Sequence, residues 1–264
     1  MMRELSREEM RAIWLRMLDT IDKWCEANGV RYSLSAGTLL GAIRHKGFIP
    51  WDDDADVMMP RPDYDRFIKE FKADDSYVMS YLSEETYYRP FARVFDKSTV
   101  LIQRGIKQGG LFIDIYPLDG QPSDEKELKQ YFDNYRRIRH RLYKSTNFYK
   151  YSIHLLSRIK GHFRGIGLPP KEENVAAMEN LMHHYPFETS AYAGESTGGS
   201  LFDTHVSSSV FKSYMDVSFE GHHYKAIKDY DTYMHKMYGD YMTPPPPSKR
   251  KSYHNFHVYW KDSE

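Results

Sequence analysis

The chain has 264 residues, enough for one large α/β domain or for a catalytic core with an appended helical part. Lysine plus arginine number 37 and aspartate plus glutamate 37, so there is no bulk positive field, and no nucleic-acid partner is expected. No apolar run reaches the roughly 18 residues of a membrane span, the first residues lack a signal peptide's apolar stretch, and the single cysteine, Cys25, has no partner for a disulfide. These features predict a cytoplasmic protein.

Ser6 and Glu9 form a capping box, and Met10, Ile13, Trp14, Met17, Leu18, Ile21, Trp24 and Cys25 follow at helical spacing. The spacing predicts a helix over residues 7–27, stopped by Asn28-Gly29. Residues 30–34 alternate as a strand does, and a glycine turn then leads into a short helix over 37–43. A polar loop follows, then a strand over 54–59 and a helix opened by Pro62. Further strands are predicted near 77–82, 90–95, 99–103 and 111–116.

From Ser123 onward the pattern is amphipathic helix, at about 124–144, 149–164 and 171–184. Strands near 190–194 and 214–226 precede a helix near 229–238, and Pro244 to Pro247 give a stiff connector to a basic and aromatic tail. The order implies an α/β (α+β) fold, a mixed sheet flanked by helices. Residues 1–120 read as the catalytic core, 121–215 as a mainly helical acceptor-side region, and 216–264 as a C-terminal segment packing back on the core.

Chemistry concentrates in Asp52-Asp53-Asp54-Ala55-Asp56. On the predicted strand Asp54 and Asp56 share one face, so two hard oxygen ligands aim at one spot. Magnesium takes one or two carboxylates plus substrate phosphates, and Asp114, alone between apolar neighbours, offers a third carboxylate. A charge there is costly unless metal or hydrogen bonds compensate it. Gly37-Thr38 lies just upstream, where a glycine allows close backbone approach and a helix start offers N–H groups to phosphate.

Residues 35–56, Phe112-Ile113-Asp114-Ile115-Tyr116-Pro117-Leu118-Asp119-Gly120 and Tyr238-Gly239-Asp240-Tyr241-Met242-Thr243-Pro244-Pro245-Pro246 together resemble the signature of the LicD family of phosphocholine transferases, distantly related to fukutin-type ribitol-phosphate transferases. The resemblance implies a nucleotidyltransferase-like fold that moves a phospho-alcohol group from a CDP-activated donor, CDP-choline foremost, to a hydroxyl of a glycan or lipid-linked glycan. CDP-glycerol and CDP-ribitol are the alternative donors, and nucleotidyl transfer or an inactive glycan-binding scaffold are the alternative functions. It implies Gly37 and Thr38 as the phosphate turn, and Asp54, Asp56 and Asp114 as catalytic ligands of Mg²⁺ or Mn²⁺. Arg44, His45 and Lys46 would bind donor phosphate, Trp51 would stack on the base or wall the donor pocket, and Asp53 would order the loop. Lys249 and His254 belong to a tail that could close over the phosphates.

One helix reads differently. Leu155, Leu156, Ile159 and Phe163 share a face, with Lys150, His154, Arg158, Lys160 and Arg164 nearby, which suggests weak peripheral contact with an anionic membrane.

Overall fold

The computed structural model describes residues 3–163, 166–197, 204–252 and 256–261, excluding the side chains of Phe148, Tyr149 and His162. Helix α1 (Arg7–Asn28) carries both predicted caps: Glu9 N–H donates to Ser6 Oγ at 3.2 Å, Ser6 N–H donates to Glu9 at 2.9 Å, and Gly29 ends the helix at φ +64°. Its apolar stripe, Ile13, Trp14, Met17, Leu18, Ile21 and Cys25, is buried. Trp14 Nε1 donates to the Phe112 carbonyl at 2.8 Å, which ties the helix to the central strand.

The elements that follow are β1 (Ser33–Leu34), α2 (Ala36–Arg44), β2 (Asp56–Pro60), α3 (Arg61–Glu70), β3 (Ser76–Met79), β4 (Ala92–Asp96), β5 (Thr99–Gln103), β6 (Ile106–Gln108) and β7 (Phe112–Gln121). Then come α4 (Glu125–Ser145), α5 (Leu155–His162), α6 (Lys171–Met182), β8 (Tyr192–Glu195), β9 (Val206–Ser207), β10 (Tyr214–Phe219), β11 (His222–Ile227), α7 (Tyr230–Tyr238) and β12 (Phe256–Trp260). The fold is the expected mixed α+β architecture. Its main sheet runs β1-β2-β7-β4-β3, and β8 and β9 extend from the second half of β7. The β2–β7 pair is parallel and the other pairs are antiparallel.

The register sets the site. Asp114 on β7 faces Asp56 on β2 and Arg93 on β4, so an acid, an acid and a base lie in one row across three adjacent strands. All five residues of β2 and of β4 are buried, as central strands covered on both faces should be.

Several predicted elements differ in extent. The strand over 30–34 shrinks to Ser33–Leu34, because Val30 N–H donates to the Cys25 carbonyl and Arg31 N–H to Asp63. The strand over 54–59 starts at Asp56, with Asp54 in the preceding loop, although the Ala55 carbonyl already accepts from Asp114 N–H at 3.0 Å. The strand over 214–226 is a hairpin that turns at Glu220-Gly221, both at positive φ. The helix over 149–164 divides into a 3₁₀ turn, Phe148–Tyr151, and α5, because Ile153 N–H donates to the Gly105 carbonyl at 2.8 Å. The tail forms β12 on β5, with Leu5 N–H donating to the Val258 carbonyl alongside.

Candidate active site

The turn between β1 and α2 brings the phosphate-turn residues against the start of β2. Thr38 is buried, and its Oγ1 accepts from Asp56 N–H at 2.9 Å, while Ser35 N–H donates to the Asp56 carbonyl at 3.0 Å. Both backbone groups of Asp56 are thus fixed by the turn. Ala36 adopts φ +43°, a left-handed conformation uncommon outside glycine and one that clusters at functional sites. A Cβ at Gly37 would collide with the Asp52 carboxylate, so the glycine makes room for that acid beside the turn.

Gly37, Arg44, Trp51, Asp52, Asp54 and Asp56 line one cavity of about 610 Å³, together with Tyr116, Tyr238, Tyr241 and Lys249. Carboxylate oxygens of Asp52, Asp53 and Asp54 come within 4.8 Å of one another, a spacing that could hold a metal ion. Asp56 is 4% exposed, and its Oδ1 has no hydrogen-bond partner among the described residues. Burial, with the charges of Asp54, Asp114, Asp52 and Glu195 around it, pushes this carboxyl well above the usual carboxylate range. A buried acid with an orphaned oxygen among other acids fits a cation.

Asp114 is compensated differently. Arg93 Nε donates to its Oδ1 at 2.5 Å, Arg93 Nη2 to its Oδ2 at 3.3 Å, and Tyr116 OH to Oδ2 at 3.3 Å. The Arg93 guanidinium also lies 3.5 Å from the centre of the Phe112 ring. This arginine was missed in the sequence, yet it carried the same signal as Asp114: a lone charge in an apolar strand, here between Ala92 and Val94. Glu195, on β8, was missed too. It is fully inside the protein and accepts from Tyr233 OH at 3.0 Å and from Ser35 Oγ.

The basic loop is split. Arg44 donates to the Tyr241 carbonyl and lines the cavity. The His45 ring meets Trp51 edge-on at 6.0 Å, and burial together with Arg44 and Arg250 pushes its pKa down. Lys46 is exposed, sits at φ +59° and lines a neighbouring hollow with Ile43, Met215 and Asp216. From the tail, the Arg250 guanidinium lies 5.1 Å from the Trp51 ring centre and Ser252 Oγ donates to the buried Asp53. His254 lies outside the described residues.

The parallel β2–β7 pair thus sets two carboxylates side by side next to a glycine turn, and this centre lies within a nucleotidyltransferase domain. Residues 29–167 match the family model for the LicD/FKTN/FKRP nucleotidyltransferase domain, and the chain belongs to this family. It is 30% identical to the lipopolysaccharide cholinephosphotransferase LicD of Haemophilus influenzae, over 98% of this chain and 99% of that one. A shorter stretch of 32 residues is 62% identical to human ribitol 5-phosphate transferase FKRP, covering 12% of this chain and 6% of that one. These relationships support a phosphotransferase that handles phospho-alcohol groups.

Proposed function

We propose that the protein transfers phosphocholine from CDP-choline to a hydroxyl of a cell-surface glycan or its lipid-linked precursor and releases CMP. The observation that carries this reading is the orphaned Oδ1 of Asp56, buried among acids beside the Gly37 turn. Asp54 and Asp56, with Asp114 next to them, would hold Mg²⁺ or Mn²⁺. The metal, when bound, neutralises charge on the donor diphosphate.

The protein's own groups do the rest. Arg44 and Lys249 stand on the cavity wall where they can take phosphate oxygens. Arg93 holds the Asp114 carboxylate by two hydrogen bonds and so orients it beside Asp56. The acceptor oxygen bonds to the phosphorus that carries choline, the bond to CMP breaks, and the acceptor's proton passes to the acidic cluster.

Choline is favoured over a polyol by the rings around the cavity, Trp51, Tyr116, Tyr238 and Tyr241, because aromatic faces attract a quaternary ammonium. Trp51 already takes the Arg250 cation. The test is chromatographic measurement of CMP released from CDP-choline, CDP-glycerol and CDP-ribitol with Mg²⁺ or Mn²⁺. CDP-choline should turn over fastest. Release from none of the three donors sinks the reading, and preference for a polyol donor reassigns the head group.

An acceptor carried on lipid agrees with α5. No helix among the described residues is long and apolar enough to cross a membrane. Yet Ile153, Leu155, Leu156, Ile159, Phe163 and Ile166 are all about half exposed or more, from 49% to 75%, and Lys150, Arg158 and Lys160 are exposed with them. An ordinary surface helix turns such a face inward. Here the apolar side chains stand outward among cations, which suits the headgroup region of an anionic membrane. Arg164 lies outside the described residues.

A further inference from the structure

We infer that a second, elongated site binds an anionic saccharide next to the acidic cavity; as the acceptor site it rests on the transfer reading above. Two hollows make it up. One, of about 610 Å³, is walled by Tyr77, Tyr87, Tyr143 and Tyr151 with Gln103 and Gln108 between them. The other, of about 470 Å³, is walled by Arg89, Arg136, Arg139 and His140. Tyr88, Arg89 and Tyr143 belong to both, so the two form one groove.

Its chemistry selects the ligand class. Aromatic faces with amide groups between them suit a sugar, whose ring offers both C–H and hydroxyl surfaces. The second hollow also has a buried hydroxyl without a partner among the described residues, Thr197 Oγ1, in a residue 3% exposed. Such a group is costly to leave unpaired, and a polyhydroxylated ligand would satisfy it.

The arginines add the demand for negative charge. Arg136 is paired with Asp133, whereas Arg89 lies 5.8 Å from the Phe91 ring centre and Arg139 lies 6.0 Å from that of Tyr135. The residues lining this second hollow include no carboxylate among those described. A phosphate or a sugar carboxylate fits there. The groove lies next to the acidic cavity: the buried Phe91 ring, part of the second hollow, packs 4.7 Å from Tyr116, which lines that cavity.

The experiment is a binding titration of the full chain, followed by ligand-observed NMR without nucleotide. The ligands are lactose, 6′-phospholactose, 3′-sialyllactose and inorganic phosphate. At least one anionic sugar should bind about tenfold more tightly than lactose, and the phosphate and carboxylate arms identify which anion the groove prefers. Arg139→Glu, an exposed position, should abolish that advantage. Thr197→Val, which removes a hydroxyl with no hydrogen bond among the described residues, should weaken every sugar while leaving the melting temperature unchanged or higher.

Anionic sugars that bind no better than lactose, or an advantage that survives Arg139→Glu, would overturn the site. Inorganic phosphate that competes as well as the sugars would reduce it to an anion spot. CMP release by the wild-type protein, measured on the same preparation, separates this outcome from failure of the donor chemistry, since the binding arms contain no donor.

Discussion

Arg93 and Asp114 face each other across antiparallel strands and form a two-point ion pair in which both side chains are almost completely buried. Losing one member of such a pair leaves a bare charge inside the protein. Arg93→Met should therefore destabilise the fold by about 3–5 kcal/mol in urea unfolding, and the double variant Arg93→Met, Asp114→Asn should recover most of the loss. A single-variant loss under about 1 kcal/mol would show that the pair contributes little to the fold.

Asp56 presents the opposite case, an acid with no ion pair among the described residues and with other acids around it. Asp56→Asn should raise the melting temperature in EDTA, because a neutral amide is cheaper to bury among carboxylates. The same change should cut CMP release at least about a hundredfold, ~2.7 kcal/mol of transition-state stabilisation. Mg²⁺ should stabilise the wild type against heat and leave the variant nearly unmoved. A variant that gains as much from Mg²⁺ as the wild type would remove Asp56 from the metal ligands.

At Gly37 the space that matters belongs to Asp52. Gly37→Val would push the Asp52 carboxylate out of its place beside the turn, so calorimetric affinity for CDP-choline should fall at least about tenfold, ~1.4 kcal/mol, in a protein that still folds. Unchanged affinity would make the glycine a turn residue only.

His183 joins α6 to α3, with Nε2 2.9 Å from Asp65 Oδ2. The Asp65 hydrogen bond raises its pKa above the ordinary 6.5, and this tie contributes fully while the imidazole is charged in both the folded and the unfolded chain. The contribution fades as pH rises from about 6.5 through the raised folded value. The melting-temperature gap between wild type and His183→Gln should accordingly be wider at about pH 6 than at about pH 8.5. A gap constant across that range would mean that the histidine is held by packing alone.

For α5 the decisive measurement is vesicle co-sedimentation. Wild-type protein should pellet with anionic vesicles at low salt and stay in solution with neutral ones, and Arg158→Glu with Lys160→Glu should release it. Equal behaviour with both vesicle types would end the membrane role of this helix and leave the carboxylates untouched.

What was legible in the sequence was local. The ends of α1 followed from Ser6, Glu9 and Gly29, because caps are written within four residues of the backbone groups they satisfy. The acidic run was legible for the same reason. The partners of those acids were not: Arg93 is 21 residues from Asp114, and Glu195 is 160 from Ser35. Only strand register brings them together. Lys46 shows the converse, since neighbours in sequence to Arg44 and His45 were expected to act as a group, and the left-handed turn at Lys46 sends it elsewhere.

The cavity wall contributed by Tyr238, Tyr241 and Lys249 lies beyond residue 167, where the family match stops. The stretch matched by the family model therefore contains the acids but only part of the cavity wall. A fragment trimmed to that stretch would retain the acids and lose Tyr238, Tyr241 and Lys249, along with β12, which pairs with β5. Designs that graft this centre onto another scaffold, or tags fused directly after Trp260, would have to preserve the returning tail, because the lining of the cavity is divided between two parts of the chain almost two hundred residues apart.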